Sequence, residues 1–252
     1  MPKNKEINID SEIELMKKFV YAIRDEIMYV ISIYETWHPM VSDDELQSRF
    51  NHSLAGQSFV FIRIALQREI LLTLTRLWDG VGGSISIKKI AHNLENKHFV
   101  KKLIEKTYKI ENDTEESYFI KSEMSSYVES KINQVLSIMN AYIKPNGHGL
   151  KILFYLKELR NKKLAHNQVN VEEANFDSNI NIDITFGELD TLFKDMLIIA
   201  EFLLSIFHRH GYNMDEARRV DATYARIFWR GATGEKKPGH PDYRSSITLE
   251  SV

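Results

Sequence analysis

Apolar residues recur along almost the whole chain at helical spacing, while the strict alternation of a half-buried strand is nearly absent. Residues 11–36 set Ile13, Met16, Phe19, Val20, Ile23, Ile27, Val30, Ile31 and Tyr34 on one stripe. Asp10 and Ser11, with Glu14 three residues after Ser11, carry the chemistry of a capping box, and His38-Pro39 is expected to close this helix. Residues 48–78 are apolar over a wider arc and are expected to form the central, most buried helix. Shorter helices are expected at 87–94 and 97–109, and longer ones at 118–142 and 186–209. Between those two long helices, residues 148–166 form a further predicted helix, entered through the strong break Pro145-Asn146-Gly147. Gly211 is the expected cap after residue 209, and residues 215–229 read as a final basic helix. The glycine-rich stretch 80–84 lacks the lysine of a phosphate loop and reads as a turn. Residues 167–185 read as a loop whose alternating NINIDI would form at most one short strand. Helices that each bury one stripe pack against one another, so the expected fold is an all-α bundle with extra short helices and a C-terminal helical extension. Residues 1–210 are assigned to the bundle, and 211–252 to the basic helix and a loosely ordered tail.

Composition narrows the chemistry. The chain has no cysteine, which excludes disulfides, thiol nucleophiles and cysteine metal sites. The charged N-terminal residues form no apolar signal core, and no apolar run of about 18 residues appears. A cytoplasmic protein without a membrane span is therefore expected. A net charge of -2 supplies no global positive field for nucleic acid. Between residues 151 and 170, however, Lys151, Lys157, Arg160, Lys162 and Lys163 stand against Glu158 alone. Such a basic patch on a near-neutral body suits a transient RNA contact.

Within that patch, LKELRNKKLAHNQ (residues 156–168) holds Arg160, Asn161 and His166. Arginine binds phosphate through two parallel hydrogen bonds and stays charged at every relevant pH. Histidine gives or takes a proton near neutrality. On an ideal helix with Leu156 at zero, Arg160 falls near +40°, His166 near -80° and Asn161 near 140°. One helix therefore does not converge the three side chains. Either the helix loosens after Lys163, or a second protomer sets its own copy opposite. The same residues also have a structural reading: lysine and histidine suit a helix C-terminus, and Arg160 would then pair with a core carboxylate.

Other candidates are weaker. His208 and His210 are alternate residues and do not share a helical face, and His92 and His98 stand too far apart, so no metal and no cofactor is expected. Arg76 and Asp79 read as a structural pair, and the arginines of 215–230 as a solvated face or an RNA-binding rim.

The spacing R-N-x-x-x-x-H resembles the signature of the HEPN superfamily of all-helical nucleotide-binding and ribonuclease domains. In order, LLTLTRLWD, the glycine linker, SISIKKIAHNL and LKELRNKKLAHN resemble the abortive-infection U-type HEPN proteins over about residues 50–205. This resemblance implies a homodimer whose motif helices face each other, acting as a metal-independent endoribonuclease in toxin or antiphage defence. Arg160, Asn161 and His166 would be catalytic, and Lys157, Lys162 and Lys163 would contact RNA. An antitoxin protein is a further implied partner. Some family members carry, two residues after the histidine, a tyrosine that such an antitoxin modifies. Here that position is Gln168, which offers no phenol. A catalytically silent module that binds nucleotides, RNA or protein through the same cleft uses the same groups and remains an alternative, as does a purely structural dimerisation domain.

Overall fold

The stripes become helices, and no strand occurs among the described residues. The structure is a computed structural model that describes residues 8–79, 85–108, 115–159 and 185–243. In chain order the helices are α1 (Ile9–Ser42), α2 (Asp44–Phe50), α3 (Ala55–Trp78), α4 (Ile87–Glu95), α5 (Lys97–Thr107), α6 (Glu115–Ile143), α7 (Leu150–Leu159), α8 (Phe186–His208) and α9 (Met214–Arg230). The expected all-α bundle is what the chain forms. The possible NINIDI strand lies outside the described residues.

The chain divides into two compact units. The first is drawn from Met1–Ile27 and Leu72–Met214, the second from Met28–Leu71 and Asp215–Val252. In the first unit α6 lies against α8, α4 and α7, and α5 lies against α4 and α8. The buried stripe of α6, Val128, Ile132, Val135, Met139 and Tyr142, follows helical spacing and meets the almost wholly apolar face of α8. Asn96 ends α4 and begins α5: its backbone N–H donates to Asn93 O, and its side chain accepts from the N–H groups of His98 and Phe99 at 2.9 and 3.2 Å.

In the second unit Met40, Leu46, Phe59, Ala225 and Trp229 form the core, with Phe50, Leu66 and Ala232 packed against it. Asp43 caps α2 by accepting from Leu46 N. The Arg49 guanidinium donates to the carbonyls of Trp229, Arg230 and Ala232, where the negative end of the α9 dipole favours a cation. Arg218 donates to the buried Glu35 carboxylate at 2.8 Å, so that neither charge is left alone in the interior. After α9, Gly234 N donates to Arg49 O, and the Glu235 carboxylate accepts from the free N–H groups of Leu54 and Ala55 ahead of α3. Those bonds hold the Glu235 carboxyl below the usual carboxylate range.

Four local expectations are corrected. First, α1 does not stop at His38-Pro39 but runs through Pro39 to Ser42. An internal proline costs about 3 kcal/mol. Here the last turn buries Trp37 and Met40, and the Trp229 indole N–H donates to Thr36 O, so packing outweighs the loss. Second, α1 starts a turn earlier than the Ser11 box. Asn8 accepts from Asp10 N, while Glu14 turns to Lys17 and Lys106. Third, the helix expected at 48–78 is broken at residues 51–54, where His52 takes φ 60° and Ser53 Oγ accepts from Gly56 N. The opening half of α3 is also far from the most buried part of the chain. Leu54, just before it, and Val60, Phe61 and Ile62 are exposed; Phe59 is the one buried residue of that half, and from Ile70 onward α3 buries Ile70, Leu71, Leu74, Leu77 and Trp78. Fourth, the left-handed cap of α8 is Arg209 (φ 58°), not Gly211. A non-glycine residue there is strained by about 1–2 kcal/mol, and the Arg209 guanidinium sits 5.2 Å over the Tyr108 ring.

His208, one residue earlier, stacks on Tyr21 at 3.8 Å, and its ring N–H donates to the Lys17 carbonyl at 3.1 Å. Burial first, then the charges of Lys17, His210 and Arg24, push its pKa below the ordinary value. The unfolded chain thus binds a proton here more readily than the folded one. This contribution is fully present above the ordinary histidine pKa of about 6.5 and is lost as pH falls below it toward the folded value. Melting curves at pH 7.5 and pH 5.5 are expected to show a drop that is smaller in His208→Gln than in wild type.

Candidate functional site

The approach to the motif is built by the break after α6. Lys144 O accepts from Gly147 N, and Ala141 O accepts from Gly149 N, turning the chain directly into α7. A Cβ at Gly147 would collide with the Ala141 carbonyl, and one at Gly149 with the Tyr142 ring, so both glycines are required by close approach. Tyr142 anchors this corner. Its ring lies 5.0 Å from that of Trp78, and its hydroxyl donates to Asp195 on α8 at 2.6 Å. Burial, then the Asp195 carboxylate, raises the phenol pKa far above its ordinary value, so Tyr142 stays a neutral donor.

From there α7 buries Ile152 and Leu153 and turns Lys151, Phe154 and Lys157 to solvent. Its two lysines meet different surroundings. The Lys151 charge acts on Glu188, which closes a capping box with Thr185 at the start of α8. Lys157 instead acts on Lys88 of α4. Removal of the Lys88 ammonium from water and, after it, the Lys157 charge lower the Lys88 pKa. Lys89 beside it is paired with Glu12 at 2.9 Å, whereas neither Lys88 nor Lys157 has an ion-pair partner among the described residues. Two like charges acting on each other raise the local positive potential on this side of α7.

The sequence motif begins where the described part of α7 ends. Arg160, Asn161, Lys162, Lys163 and His166 lie outside the described residues, as does the end of the helix expected at 148–166. Of the predicted RNA contacts, Lys157 is placed, and it is exposed. Lys88 escaped the sequence reading because nothing in SISIKKIAHNL singles it out; its relation to Lys157 exists only in the fold.

Other features are accounted for without a ligand. Arg76 donates to Thr73 and to Glu26, in keeping with a structural role. Among the described residues no group of three His, Cys, Asp or Glu side chains could hold a metal. No helix of the described residues is long and apolar enough to cross a membrane. An open groove of about 780 Å³ runs over Leu94, Val100, Ile104, Ile132 and Leu136. On its rim Lys97 and Lys101 are offset by Glu95, Glu105 and Glu129, which makes it unsuited to a phosphate backbone.

No curated protein and no solved structure matches the chain. The family model HEPN_AbiU2, described as AbiU2, matches residues 13–228. A match of that extent, on an all-helical fold, settles the family: the chain belongs to the HEPN superfamily, in its abortive-infection U-type (AbiU2) family.

Proposed function

We propose that the chain is a metal-independent endoribonuclease of the toxin or antiphage-defence type, acting as a homodimer in which two motif helices complete one site. The observation that carries this reading is the family match, whose span of residues 13–228 includes Arg160, Asn161 and His166. The RNA 2′-hydroxyl attacks the adjacent phosphorus and expels the 5′-oxygen, leaving a 2′,3′-cyclic phosphate. His166 takes the 2′-hydroxyl proton or supplies one to the leaving oxygen, with one histidine from each protomer filling the two roles. Arg160 stabilises the charge that develops on the phosphate, and Asn161 orients Arg160, His166 or the phosphate. Lys157, Lys162 and Lys163 hold flanking phosphates, and Lys88 extends that track on α4. An antitoxin partner would act by some route other than modifying residue 168, which is a glutamine.

The test is incubation of a mixed RNA pool with the protein in EDTA. Fragments ending in 2′,3′-cyclic phosphate are expected; intact RNA from a folded dimer would favour the silent binding module instead. The lysines are read separately, through binding. In a His166→Ala background, Lys88→Ala and Lys157→Ala are each expected to flatten the dependence of log affinity on log salt by about 0.7. An unchanged slope would remove that lysine from the RNA contact.

A further inference from the structure

The apolar residues of α9 fall into two stripes, and the chain itself uses one of them. On the inner side Ala225 and Trp229 are buried in the second unit's core. About 120° around the helix, Val220, Tyr224, Ile227 and Phe228 leave 43%, 65%, 63% and 65% of their surface in water. Ala217, Val220, Tyr224, Ile227 and Gly231 follow one another at alternating steps of three and four, the spacing of a two-helix seam. A continuous outward stripe of this kind marks an interaction site on a protein surface.

Charge identifies the partner. The first turn of α9 carries Asp215 and Glu216, and its end carries Arg226 and Arg230. Glu216 and Arg230 flank the same edge of the seam, two heptads apart. We infer that α9 is a self-association face, pairing antiparallel with α9 of a second copy of this chain. In that arrangement Val220 packs against Tyr224 of the second copy, and Glu216, which pairs with Arg219 of its own helix, also meets Arg230 of the second copy at both ends of the seam. A parallel pair would instead set Glu216 against Asp221 of the second copy, two carboxylates, which is unfavourable. Asp221, at the other edge, is turned to its own chain, where it accepts from Ser32 Oγ at 3.1 Å. Nucleic acid fits this stripe poorly, because Val220 and Ile227 offer nothing to a phosphate and the charges at the start of α9 cancel in the pairs Asp215–Arg218 and Glu216–Arg219. The α9 seam contains none of the motif residues, so association through α9 and RNA cleavage are tested by different variants.

The absence of cysteine makes introduced thiols clean reporters. Full-length Val220→Cys and Tyr224→Cys chains, mixed and mildly oxidised, are expected to form a cross-linked pair that neither variant forms alone. In sedimentation equilibrium, Glu216→Arg and Arg230→Glu are each expected to weaken association about tenfold. The double variant Glu216→Arg/Arg230→Glu is expected to restore it. Cross-linking of each single variant as readily as the mixture would mean a parallel pair and would overturn the inference. So would a mixture that does not link, or a double variant that associates no better than the single ones.

Discussion

Replacing His166 by alanine is expected to lower RNA cleavage about 10²–10⁴-fold, the range of a positioned general acid or base. Arg160→Ala is expected to lower it about 10²–10³-fold, the range of one lost electrostatic contact to a developing charge. The two substitutions differ in what else they change. With His166 gone, the dependence of rate on pH near neutrality should flatten, because the group that titrates there has been removed. With Arg160 gone, that profile should persist at a lower rate, since a guanidinium does not titrate in the range. Circular dichroism and sedimentation of each variant check that fold and association are retained. Full cleavage by both folded variants would refute the catalytic assignment outright.

Trp229→Ala is expected to destabilise the protein by about 3–5 kcal/mol, the usual cost of truncating a buried tryptophan. The side chain is 6% exposed, stands edge-on to Phe59 at a ring separation of 5.7 Å, and donates through its indole N–H to Thr36 O at 2.8 Å. Its removal opens a cavity beside Met40, Leu46 and Phe59 and leaves the Thr36 carbonyl without that donor. Trp229→Phe keeps much of the packing and should recover most of the loss, short of about 1 kcal/mol for the hydrogen bond. Denaturant midpoints of the three proteins measure both parts.

The helices were legible because their apolar stripes are long and regular. Ile13 through Tyr34 on α1 are all buried as the spacing predicts, and so are Leu189 through Met196 on the same face of α8. What escaped the sequence depends on partners distant along the chain. Nothing local to Pro39 says that Trp229 will bond to Thr36 and hold the helix through it. Nothing in NHSLAG says that Glu235 will cap α3 and let the chain break before it. Phe61 and Ile62 look like core residues until the fold leaves them outward. The candidate site divides in the same way. The types and order of Arg160, Asn161 and His166 are visible in one stretch of sequence, and the resemblance they supported agrees with the family match. A helical wheel sets the three on different faces, and one helix alone does not bring them together. Lys88 shows the converse, a cation drawn to notice only by its relation to Lys157.

The corner at Asn96 leaves the chain no slack. One residue both ends α4 and begins α5, so the phase between the two helices is set without a linker to absorb an error. An inserted residue at this point would turn α5 by about 100°. Val100 and Leu103 would then swing from the interior toward water, and His98 and Lys102 toward the core. The outer face of α5 can take substitutions at little cost, but a change of length at this corner moves a charge into the core.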